Sequence, residues 1–105
     1  MTLSAAQLLD AWQALIEEVE EGYEWDISEF RNELRARGAL EQLRAAAMEE
    51  RFDGHEELVR RIETLDERFK AATVVSTPFA TRAHWWSRRV PPGFELTASP
   101  GPAER

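Results

Sequence analysis

The stretch AHWWSRRVPPGF, from Ala83 to Phe94, places Trp85 and Trp86 side by side and follows them with Arg88 and Arg89. These residue types grip more readily than they catalyse. Tryptophan offers a large rigid apolar face, arginine a planar fork of donors, and both are enriched where proteins hold partners. Adjacent side chains diverge by about 100° in a helix and about 180° in a strand, so one indole packs inward while the other stays near the surface. Two readings fit. Either one tryptophan closes an end of the core and its neighbour lies along an arginine or a proline, or an exposed tryptophan together with Arg82, Arg88 and Arg89 forms a binding site. On the second reading Trp86→Ala removes a partner contact and leaves the melting temperature nearly unchanged. The same residues could stack bases and neutralise phosphate. Three local arginines beside an acidic body are a weak electrostatic footprint, so nucleic acid is not expected as a partner.

A second cluster, EEVEEGYEWDISE, carries Glu17, Glu18, Glu20, Glu21, Glu24, Asp26 and Glu29 without one Lys or Arg between them. Like charges at helical spacing repel. Glu17, Glu20, Glu21 and Glu24 share a face, which reads either as a solvated surface or as an acidic patch complementary to a basic protein. In the latter case charge reversal at Glu20 and Glu21 abolishes binding, with steep salt dependence. A carboxylate metal centre is not expected, because no Glu-x-x-His partner accompanies the run.

Catalytic residues are not evident. His55 opens GHEELV, but the second histidine of a zinc-protease motif would have to stand where Val59 is. His84 beside Trp85 has no partner that the sequence names. No cysteine supplies a thiolate, no serine stands in a nucleophile context, and five scattered glycines make no phosphate loop. The chain therefore reads as a binder sooner than an enzyme, and no cofactor is implied. The turn YEWDISEF gathers Tyr23, Trp25, Ile27 and Phe30. It either packs on the core with Trp25 or Ile27 as a staple, or sets Tyr23 and Trp25 against the C-terminal tryptophans as an aromatic seam. With the seam, the arm becomes a lid that brings Arg82, Arg88 or Arg89 toward the acidic run, and truncation after Thr77 destroys cooperative unfolding.

The elements that must position these residues are helical. Ser4 and Gln7 form a capping box, and Leu8, Trp12, Leu15, Ile16 and Val19 recur at helical spacing, giving a helix from Ala5 to Glu21 that Gly22 stops. Asp26 with Glu29 caps a second helix carrying Ile27, Phe30 and Leu34 and ending at Gly38. Leu40, Leu43 and Ala47 begin a third that reaches Asp53 and Gly54. Leu58, Ile62, Leu65 and Phe69 mark a fourth down to about Ala72. The apolar phase slips near Gly54, where Asp53 and Glu56 can cap a new helix; one long helix tolerating the glycine is the alternative. Beyond Thr73 the β-branched, proline-containing TVVSTPF turns the chain into a loop or extended segment, with a short helical turn around Thr81 to Arg88. Four of the five prolines lie from Val90 onward, and the last residues read as a flexible tail.

Composition sets the bounds. With 105 residues, 43% of them hydrophobic and 31% charged, the chain supports one modest core. Net charge is −7 and polarised: 18 acidic and 9 basic residues up to Lys70 against 2 and 4 beyond it. No apolar run reaches the length of a membrane span and no secretion signal opens the chain, so a cytoplasmic protein is expected, with no membrane partner. The fold class is all-α: a small antiparallel bundle of three to four helices with an irregular Trp/Arg/Pro-containing C-terminal arm packed on it, a single helical domain over residues 1–90 followed by a Pro/Gly-containing arm or tail at 91–105. The expected function is a regulatory or inhibitory protein-interaction module whose partner is another, basic, protein. The alternative is a structural subunit of a homo-oligomer such as a homodimer; a small-molecule or metal-dependent enzyme ranks third.

Overall fold

The structure, a computed structural model, describes residues 4–76, 79 and 81–94. Helix α1 (Ala5–Glu21) begins in the capping box read from the sequence: the Ser4 hydroxyl accepts from the Gln7 amide at 3.1 Å, and the Gln7 side chain accepts from the Ser4 amide at 2.8 Å. Gly22 ends it with φ of 109°, a conformation that costs glycine little and other residues much. Helix α2 (Ile27–Glu33) starts at Asp26, whose carboxylate accepts from the Glu29 amide at 2.8 Å.

The second helix does not run to Gly38 as its glycine suggests. The break falls at Leu34, and α3 (Arg35–Glu50) passes through Gly38 without interruption. The reason is conformational. Gly38 is not among the glycines with positive φ, so it supplies no left-handed stop, and the Gly38 amide still donates to the Leu34 carbonyl at 3.3 Å. Helices α3 and α4 (His55–Ala72) are separate, because Arg51 takes a left-handed conformation at φ 53° and Gly54 another at φ 83°. The Asp53 cap expected there is not made; Gly54 is the capping residue, and the hairpin is closed by the His55 amide donating to the Phe52 carbonyl at 3.0 Å. This short connection makes α3 and α4 an antiparallel pair.

The apolar stripes of α1 and α4 meet over a chain of aromatic rings. Trp12 lies 4.6 Å from Phe69, Phe69 stacks on Phe30 at 6.3 Å, Phe30 meets Tyr23 edge-on at 5.5 Å, and Tyr23 meets Phe94 at 5.9 Å. Trp12, Phe30 and Phe69 are fully buried. Burial of side chains this size contributes upwards of about 2 kcal/mol each, which makes this chain of rings the main cohesive element of a small domain.

The arm is tied down twice. Strand β1 (Val74–Val75) pairs antiparallel with β2 (Arg89–Val90), Val74 opposite Val90 and Val75 opposite Arg89, a two-residue ladder that the sequence did not announce. Between them a 3-10 turn over Trp85–Arg88 supplies the short helical piece expected there. Val90 and Pro91 are fully buried and Phe94 packs on the core, while the flexible tail expected at the last residues lies outside the described ones. Among the described residues no helix is long and apolar enough to cross a membrane.

Candidate functional site

Trp85 and Trp86 divide as adjacency requires, but both work for the fold. Trp86 is 4% exposed and belongs to the core, whereas Trp85 is half-buried against it. The two rings meet edge-on at 5.7 Å, and Trp85 reaches Phe69 at 6.0 Å. Arg37 is the cation the two rings share, its guanidinium 4.3 Å from the Trp86 ring centre and 5.8 Å from that of Trp85, while Lys70 Nζ lies 4.9 Å from the Trp85 ring. His84 stacks on the other ring neighbour, Trp86, at 4.4 Å. With Trp86 inside, Trp86→Ala is expected to destabilise the protein, contrary to the nearly unchanged melting temperature that an exposed indole implies.

Arg37 is the residue that sequence reasoning missed. It is 1% exposed, and its guanidinium forks onto Asp66, with Nε donating to Oδ1 and Nη2 to Oδ2, both at 2.8 Å. The Trp12 indole donates to the same Oδ1 at 3.1 Å, and Arg37 Nη1 donates to Glu41 at 3.1 Å. Glu41 in turn accepts a bidentate fork from Arg44, which holds its carboxyl below the usual range; burial pulls the other way and Arg37 adds to the lowering. A signal existed in the sequence. Arg37 lies three residues from both Leu34 and Leu40, and Asp66 lies four from Ile62 and three from Phe69, so opposite charges sit on two apolar stripes. Beside this network an open groove of about 270 Å³ is lined by Arg44, His84, Trp85 and Trp86 among others. Its two arginines and two carboxylates bind each other.

The arm's arginines take separate tasks. Arg89 donates to the Lys70 carbonyl at 3.1 Å and to the Thr73 carbonyl at 2.9 Å, and its Nε donates to the Thr73 hydroxyl, which itself donates to the Phe69 carbonyl at 2.7 Å. Together they satisfy the Phe69 and Lys70 carbonyls in the last turn of α4 and that of its capping residue Thr73, and Arg89 puts positive charge at the negative end of the helix. Arg88 donates through Nε to the Arg82 carbonyl at 2.7 Å and fastens the loop. Arg82 is exposed and lies 5.1 Å above the ring of Phe79. None of the three pairs with the acidic run, so that run is not neutralised by the arm.

The four carboxylates expected on one face do not stay together, because α1 ends at Glu21 and Gly22 turns the chain before Glu24. Glu20 receives a fork from Arg68 at 2.7 and 3.1 Å, which draws its carboxyl below the usual range against a smaller opposing effect of burial. Glu17 accepts from Gln13 at 3.0 Å. Glu21 and Glu24 instead join Glu18 around Trp25 in an open groove of about 290 Å³. Here the staple role passes to Ile27, which packs on the core, and Trp25 is 59% exposed. Nor does Trp25 form the seam with the C-terminal tryptophans; of the pair only Tyr23 reaches the arm, through Phe94.

Negative potential accumulates at this end. The Tyr23 hydroxyl donates to Glu33 at 2.8 Å, and the Glu33 carboxyl is raised by burial, with Glu18 and Glu29 adding repulsion and the Tyr23 hydrogen bond opposing. Burial and the neighbouring Glu33, Glu18 and Glu29 also push the Tyr23 hydroxyl far above its ordinary value. Among the described residues no Lys or Arg forms an ion pair with Glu18, Glu21 or Glu24. No three His, Asp or Glu side chains among them converge as metal ligands either. Comparison of the chain with protein-family models, with curated proteins and with solved structures gave no match.

Proposed function

We propose that the chain is a small protein-interaction module that binds a basic segment of another protein through its acidic, tryptophan-bearing end, regulating or blocking that partner without chemistry of its own. The observation that carries this reading is Trp25, 59% exposed and ringed by Glu18, Glu21 and Glu24. A flat indole bordered by carboxylates that no Lys or Arg among the described residues neutralises suits a Lys or Arg side chain, whose stem covers the ring while its cation meets the acids. Charge of this kind speeds association and selects partners more than it adds affinity. The reading places the module in the cytoplasm.

Trp25→Ala and the double reversal Glu21→Lys/Glu24→Lys test it. All three residues are exposed, so stability is expected to change by less than about 0.5 kcal/mol. Binding of the basic protein captured from the cell's own extract should fall steeply with salt and disappear in both variants. Capture that survives both substitutions defeats the proposal. A second reading, self-association, is favoured by Met48, 54% exposed, and Phe52, 40% exposed, close together at the α3–α4 turn. Sedimentation of the purified chain decides it, with Met48→Lys expected to dissociate any dimer held there.

A further inference from the structure

Binding a basic protein through the acidic end leaves the stretch from His84 to Trp86 with no task beyond packing. These residues line the open groove of about 270 Å³ together with Arg37, Glu41 and Arg44 of α3 and Asp66 of α4. The arm brings the rings. His84 is exposed and lies parallel to Trp86, with 4.4 Å between centres and 6° between planes, and half-buried Trp85 meets Trp86 edge-on. The helices bring charge in equal numbers, two guanidiniums against two carboxylates.

Those charges pair without exhausting each other's hydrogen bonds. A guanidinium carries five N–H donors. Arg37 gives two of them to Asp66 and one to Glu41, and Arg44 gives two to Glu41. The remaining N–H groups of both arginines meet no acceptor among the described residues. The carboxylates are nearer saturation: Asp66 Oδ1 accepts from Arg37 and Trp12, and Glu41 Oε1 from Arg37 and Arg44. Arg37 is 1% exposed, so its spare donors have little water to turn to. The lining is thus balanced in charge and in excess of donors.

Each property of the lining narrows the ligand. Balanced charge gives an ion no net attraction, which favours an uncharged molecule. Spare donors call for adjacent acceptors and stacked rings for a flat ring system; a volume below that of drug-sized sites leaves room for one such system. We propose that this groove binds a purine base of the guanine type, free or as its nucleoside, stacked on the exposed His84 ring with its O6 and N7 edge accepting from the two arginines. That edge is the one a pair of arginine donors matches. An uncharged base also escapes the repulsion that a net charge of −7 imposes on phosphate. The site shares no residue with the acidic end, and it stands whether or not that end binds a basic protein.

The test is a titration of the intact, 15N-labelled chain with guanosine, reading the indole Nε1–H and arginine Nε–H resonances. Saturable shifts at Trp85, Trp86 and Arg44 are expected, with the Trp25 indole unmoved. The 7-deaza analogue lacks the N7 acceptor, and adenosine puts an amino donor where O6 stood; each should bind about tenfold or more weakly. His84→Ala and Arg44→Gln should weaken guanosine by a similar factor. His84 is exposed, so His84→Ala should melt like the parent and keeps the test interpretable if Arg44→Gln is unstable. Guanosine monophosphate should bind no more tightly than guanosine, because the lining offers a phosphate no net positive charge. Shifts that do not saturate, that centre on Trp25, or that persist unchanged in His84→Ala would overturn the proposal. So would adenosine matching guanosine, or the monophosphate or benzoate exceeding it.

Discussion

Arg37 and Asp66 set the stakes at the scale of single residues. Both are almost fully buried, and a bidentate pair in such a place is neutral to mildly favourable against apolar residues, yet costly to break. Arg37→Ala strands the Asp66 carboxylate and is expected to cost about 3–5 kcal/mol in urea unfolding. Arg37→Met with Asp66→Leu should recover most of that loss; if the double variant is no better than the single one, the pair is not coupled as its geometry implies. Glu33 gives a pH signature. Its carboxyl is raised in the folded state, so the native protein holds the proton more tightly than the unfolded chain. The associated stability is present below the ordinary carboxylate range and lost as pH rises through the raised value. Glu33→Gln removes that loss, and unfolding measured from mildly acidic to neutral pH should show a flatter upper slope. Glu41, held low by Arg44, acts in the opposite sense, its contribution disappearing as pH falls.

Among the elements, the α3–α4 turn is the most instructive. Two consecutive reversals are needed to fold α4 back on α3, and the sequence puts glycine at only one of them. Arg51 adopts φ 53°, where a residue with a Cβ is strained. Arg51→Gly is expected to stabilise the protein by about 0.5–1 kcal/mol in thermal or chemical unfolding, the relief of strain exceeding the added flexibility of the unfolded chain. A loss of stability would mean that the exposed Arg51 side chain contributes more than its backbone costs. The α2–α3 junction shows the converse. A glycine in the sequence marks a helix end only if the chain uses its left-handed freedom, and Gly38 does not.

At the scale of the whole molecule the arm completes the core. Truncation after Thr77 removes Trp86, Val90 and Pro91, all buried, together with the Arg89 donors that close α4. Loss of a buried tryptophan alone costs about 3–5 kcal/mol, a large share of the about 5–15 kcal/mol that a domain has in total. The truncated chain is expected to lose its cooperative melt, followed by circular dichroism; a sharp transition in it would show that the helices suffice. Glu21, Glu24 and Trp25 at the acidic end are exposed outside this core, so substitutions there should report on binding with little effect on folding.

Local patterns in the sequence were enough for the helical class, the bounds of α1, the stripe of α4 and the split between the two adjacent tryptophans. Each rests on spacing along one element or on a cap made within a few residues. The tertiary structure alone decided that Arg37 and Asp66 share a buried fork 29 residues apart in sequence, that Val74 pairs with Val90, and that Trp25 faces outward while Trp86 does not. These outcomes depend on which faces of distant elements meet. A charge on an apolar stripe becomes a core residue only when another element brings it a counter-charge, and an aromatic beside a turn is buried only if something covers that turn.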